Sequence, residues 1–86
     1  MYVVLTYDVG TRRVSKVMET CRKYMVHVQK SVFEGNVTEA KLENLKKDLQ
    51  KILHTDEDSA CIYKADNLAY LKKEQIGLIN DNSYII

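Results

Sequence analysis

Residues 2–7, Tyr2-Val3-Val4-Leu5-Thr6-Tyr7, place apolar or β-branched side chains on both parities of an extended segment. Successive strand residues point to opposite faces, so a strand apolar on both sides needs cover on both. That requirement puts it inside a sheet rather than at an edge. Asp8-Val9-Gly10-Thr11 ends it, where Gly10 permits a turn and Thr11 can cap a helix. Val14, Val17, Met18, Cys21 and Met25 then recur at helical spacing. Two extended stretches follow, Val26 to Gln29 and Val32 to Val37, with Lys30-Ser31 as a reversal and Gly35-Asn36 as an alternative turn or bulge. Thr38 has the chemistry of an N-cap, with Val37 and Leu42 placed as a staple. Leu42, Leu45, Leu49, Ile52 and Leu53 form the second helical stripe, and Glu43 with Lys47 a supportive pair. Asp56-Glu57-Asp58 reads as a solvated loop before a strand from Ser59 to Ala65, nearly apolar on both parities.

The order β-α-β-β-α-β specifies an α+β, ferredoxin-like domain with two helices on one face of a four-stranded antiparallel sheet. The other face needs a cover, and a second copy of the chain is the simplest one, so a homodimer is expected. Residues 67–86 form a tail with strand-like material at Gln75 to Ile79 and Tyr84 to Ile86, suited to adding an edge strand to its own sheet or a partner's. Without proline, repeats or low-complexity stretches, residues 1–86 read as one domain.

A net charge of only +1 excludes a strongly basic protein that coats nucleic acid, so any such contact must use a local patch. The apolar run at Tyr2 to Leu5 is too short to span a bilayer, and no secretion signal opens the chain. Cys21 and Cys61 lack metal-ligand spacing and read as reduced core residues, which together points to the cytoplasm.

Asp8 is the carboxylate at the end of the first strand, where the chain leaves the sheet. Two readings are open. It caps its own turn through Gly10 or Thr11, or two copies meet across a dimer axis and share a Mg²⁺ ion, which favours hard oxygen ligands. Arg13, Lys16 and Lys23 share a helix face with Arg12 and Arg22 beside it, a candidate phosphate-contacting stripe interrupted by Glu19. His27 is either a base near Asp8 or a surface strand residue, and His54 is placed to meet helix-terminal carbonyls. Ser31 has no triad around it, and no phosphate-cradling glycine loop is present.

The strand end Tyr7-Asp8-Val9, the helix start Arg12-Arg13-Val14, the block Val28-Gln29-Lys30-Ser31-Val32-Phe33-Glu34-Gly35 and the Thr38-led helix together resemble the family of CRISPR-associated protein two. The resemblance runs across almost the whole chain. It implies a homodimer whose paired Asp8 residues hold Mg²⁺, with Tyr7, His27 and Phe33 near the dimer site. It further implies a metal-dependent endonuclease on RNA or double-stranded DNA, and a scaffold that bridges two integrase dimers in spacer acquisition and lies along foreign DNA. Arg12, Arg13 and Lys16 would then contact the nucleic-acid backbone. Two other roles remain open, a DNA-binding scaffold without catalysis and a toxin-type ribonuclease related to virulence-associated protein D.

Overall fold

The computed structural model describes residues 1–77. Its elements are β1 (Tyr2–Asp8), α1 (Thr11–Arg22), β2 (Val26–Gln29), β3 (Val32–Asn36), α2 (Glu39–Ile52) and β4 (Ser59–Ala65), then a single 3-10 turn at Leu68–Tyr70. The strands lie in the order β2-β3-β1-β4, each antiparallel to its neighbours. This is the ferredoxin-like arrangement. The doubly apolar first strand is central, with Leu5 opposite Phe33 on one side and Ile62 on the other.

Odd-numbered β1 residues Val3, Leu5 and Tyr7 face the helices. They join Val17 and Cys21 of α1, Leu42, Leu45 and Leu49 of α2, and Met25, Phe33 and Val37 in one buried cluster. Thr38 caps α2 as its sequence suggests, its Oγ1 accepting from the Lys41 N–H at 3.2 Å. Thr11 does not cap α1. It is the first helical residue, and Gly10 occupies the cap position with no side-chain hydrogen bond to the helix. Glu43 pairs with Lys46 at 2.8 Å, three residues on, rather than with Lys47.

Three further sequence expectations change. The irregularity falls in β2, between His27 and Gln29, while Gly35 and Asn36 continue β3 opposite Val3 and Tyr2. Gly35 serves close approach instead, since a Cβ there would lie 3.3 Å from the Met25 Cα. β4 is an edge strand whose Ala60 and Ile62 pack partly against the core, so Cys61 and Tyr63 face the other way and are exposed. Cys61 is therefore not a core residue, whereas Cys21 is fully buried. Gln75 to Gly77 are not strand, and the rest of the expected tail strands lies outside the described residues.

The face opposite the helices carries Tyr2, Val4 and Thr6 of β1 beside Glu34 of β3. Glu34 is buried, and its two oxygens are satisfied separately: Tyr2 Oη donates to Oε1 at 3.0 Å, and Lys73 Nζ donates to Oε2 at 2.8 Å. Leu71 to Gln75 thereby run past Val4, Gln29 and Glu34, leaving a cavity of about 260 Å³. Burial, then the hydrogen bond to the Glu34 carboxylate, pushes the Tyr2 phenol up to about 12. A raised phenol pKa favours the protonated form in the fold. Its stability contribution is complete below the ordinary value near 10 and is lost as pH climbs toward 12. Absorbance titration near 295 nm should therefore show a tyrosine that ionises late and together with alkaline unfolding. In a Tyr2→Phe variant that late step should be missing.

Candidate functional site

Asp8 closes β1 opposite Ser59, at the last rung of the β1–β4 ladder. It shares its parity with Thr6 and Val4, so it belongs to the face away from the helices, and it is exposed. The turn-capping reading of Asp8 is not realised. The Gly10 N–H donates at 2.9 Å to Oδ1 of Asp58, and Asp8 makes no side-chain hydrogen bond or ion pair among the described residues. Among those residues, no group of three histidine, cysteine or acidic side chains assembles into a metal site. A single chain thus offers one unengaged carboxylate at this corner. A two-fold copy is what would bring a second.

Asp58 is the residue that sequence reading missed. Far from being solvated, its side chain has 0 % exposure and accepts four hydrogen bonds. Oδ1 takes the Gly10 N–H and Arg13 Nη2, the latter at 3.0 Å, while Oδ2 takes the His54 N–H at 2.9 Å and Arg13 Nε. Glu57, exposed, adds an outer contact to Arg13 Nη2 at 2.9 Å. The Arg13 guanidinium, helped by the His54 and Gly10 N–H groups, holds Asp58 far below the usual carboxylate range despite its burial. A depressed carboxyl pKa stabilises the fold above the ordinary value near 4, and that contribution disappears as pH falls below it. Melting temperature recorded from pH 7 to pH 2 should show Asp58→Asn well below wild type at neutral pH. The two curves should converge in acid.

This anchoring sorts the basic residues. Arg13 is only 15 % exposed and committed to Asp58 and Glu57, whereas Arg12 and Lys16 are exposed on α1. Gly10, Thr11, Arg12, Arg13, His54 and Glu57 line an open cleft of about 450 Å³ at the start of that helix. His54 contributes through its backbone, since its N–H binds Asp58 and its carbonyl accepts from the Glu57 and Asp58 N–H groups.

Tyr7, Phe33 and His27 form a second group, on the helix side of the sheet. The His27 ring stacks on Phe33 at 4.7 Å, and Tyr7 lies 6.2 Å from Phe33. Tyr7 Oη and His27 Nε2 both donate to the Lys30 carbonyl, at 3.2 and 3.1 Å, tying the β2–β3 turn to the end of β1. Phe33 is fully buried. His27 sits two strands from β1, in register with Phe33 and Leu5 rather than with Asp8. Within one chain the structure therefore does not bring His27 to Asp8. A sequence signal for Asp58 was available only in part: it immediately precedes the strand that pairs with the strand of Asp8, but nothing in the local pattern shows that Gly10 and Arg13 reach it.

Residues 1–73 match the family model described as CRISPR associated protein Cas2. The chain is 42% identical over 78 residues to the CRISPR-associated endoribonuclease Cas2 of Dictyoglomus turgidum, covering 91% of this chain and 90% of that one. It is 44% identical over 78 residues to the protein of the same name from Pyrococcus furiosus, covering 91% of this chain and 89% of the other. Among solved structures, that of Streptococcus pyogenes Cas2 superimposes with a TM-score of 0.79 at 34% identity, over 90% of this chain and 100% of that one.

Proposed function

The chain belongs to the family of CRISPR-associated Cas2 proteins, and from that premise we propose that it is a homodimeric, Mg²⁺-dependent endonuclease. Its substrate class is RNA or double-stranded DNA, and its site is the pair of Asp8 carboxylates brought together by a two-fold axis. The observation that carries this reading is the state of Asp8. The one carboxylate exposed at the end of the central strand is spared from structural duty because Asp58 takes the Gly10 N–H in its place. Two relatives are named endoribonucleases, which supports phosphodiester hydrolysis as the chemistry.

The donor set fits the ion. Mg²⁺ accepts one or two carboxylates and fills its remaining positions with water and phosphate oxygens, and the exposed Asp8 carboxylate offers hard oxygen ligands of that kind. When bound, Mg²⁺ supplies charge neutralisation at the phosphoryl oxygens and a more acidic water. The chain's own residues do the rest. Asp8 sets where the scissile phosphate sits, and Arg12 and Lys16 grip the flanking backbone electrostatically, as a sequence-independent contact requires. Arg13 holds the loop instead of the substrate.

The same dimer also serves as a scaffold that bridges two dimers of a CRISPR integrase and lies along foreign DNA during spacer acquisition. The near-neutral charge supports shared binding, since a net charge of only +1 gives weak unaided affinity that a partner must supplement. The experiment is cleavage of end-labelled RNA and duplex DNA with Mg²⁺ or chelator, alongside sedimentation of the chain alone and with the integrase. Mg²⁺-dependent cutting by a dimer is the expected result. A monomer at micromolar concentration, or wild type that cuts neither substrate, would overturn the enzyme reading.

A further inference from the structure

Asp8 owes its placement to contacts it does not make. Its own backbone is fixed by the β1–β4 ladder, where it faces Ser59. Two residues later the Gly10 N–H is fixed by Asp58, the residue just before Ser59. The Asp58 carboxylate thus sits at the base of the short Val9–Thr11 loop and joins three segments: that loop, the first turn of α1 through Arg13, and the exit of α2 through His54. Four donors fill the lone pairs of one carboxylate that has no access to solvent. Gly10 completes the packing. A Cβ there would fall 2.7 Å from Arg13 Nη2 and 3.8 Å from Asp58 Oδ1, so an alanine would push the guanidinium off its place against Asp58.

A single carboxylate that must meet its copy across an axis gains from being preset. Ordering a loose loop at the moment of cation binding costs backbone and rotamer entropy, and sites work best when a surrounding shell locks their geometry. We infer that Asp58, locked by Arg13 and closed over by Gly10, is the positioning residue that holds Asp8 in its Mg²⁺-binding geometry. The inference rests on the reading of Asp8 as a Mg²⁺ ligand.

The test is Mg²⁺ binding measured by titration calorimetry on the dimer at 25 °C, for wild type, Asp8→Asn, Asp58→Asn and Gly10→Ala, with circular dichroism on each sample. Wild type should bind and Asp8→Asn should not. Asp58→Asn and Gly10→Ala should keep native dichroism yet bind about tenfold more weakly or worse, the usual range for residues that orient a metal ligand. Cleavage by both should recover as Mg²⁺ is raised, which a purely structural brace would not produce. Folded Asp58→Asn binding as tightly as wild type would overturn the positioning role and leave Asp8 a ligand. Wild type that binds no Mg²⁺ would remove the ligand itself and the positioning role with it. If Asp58→Asn fails to fold, Gly10→Ala decides alone, since it keeps every charge.

Discussion

Asp8→Asn should reduce Mg²⁺-dependent cleavage at least a hundredfold while leaving the fold and the dimer unchanged. The substitution keeps the size of the side chain and one of its oxygens but removes the charge that attracts a hard cation. Losing a ligand of the ion itself should cost more than losing a residue that only orients a ligand, which is already worth about 10–100-fold. The structural side of the prediction is equally definite. Asp8 is exposed and makes no side-chain hydrogen bond or ion pair among the described residues, so its replacement should shift stability by about 0.5 kcal/mol or less. Cleavage rates, melting temperature and sedimentation on the same preparation separate the two effects. If the variant loses its dimer or melts far below wild type, Asp8 has a structural duty that its free carboxylate does not reveal. Cutting that survives in the variant would move the site elsewhere.

Phe33→Ala should have the largest effect on stability. The ring has no exposure, belongs to the central cluster, and is stacked against His27 and near Tyr7. Truncating a buried phenylalanine costs about 3–5 kcal/mol, against a total of about 5–15 kcal/mol for a domain. For a chain of this size that is a fall in melting temperature of roughly 15–30 °C. Phe33→Leu should fall between the two. The family resemblance places Phe33 near the dimer site, and a loss of activity on its truncation would be easy to mistake for a damaged site. Thermal melts decide: a variant with native melting but no dimer would put the ring at the interface.

The fold was legible because its signals are periodic. β1 announced its central position by having apolar groups on both parities, and α2 announced its start at Thr38, whose hydroxyl does accept the Lys41 N–H. β4 carries the same double apolar pattern at the sheet edge, and in the single chain its Tyr63 is 58 % exposed on the face where a second copy is expected. At the site, Asp8 stood out by position, and Arg12 and Lys16 are exposed and make no ion pair among the described residues, as a phosphate stripe requires. Arg13 reads as a phosphate contact and Asp58 as a solvated loop anion because each is ordinary in its own segment. They are 45 positions apart, and only the return of β4 alongside β1 makes them a buried pair. Periodicity reports local packing. It carries no information about which distant charge a residue will meet.

The two cysteines differ in a way that can be put to use. Burial pushes the Cys21 thiol up to about 12, so it is almost wholly unreactive near neutral pH, whereas Cys61 is exposed on the sheet face opposite the helices. The native chain therefore carries a single alkylatable handle, already sited on the surface where a second copy is expected to dock. A maleimide fluorophore or spin label attached there, with no engineered residue, would report protection on association and distance across the axis.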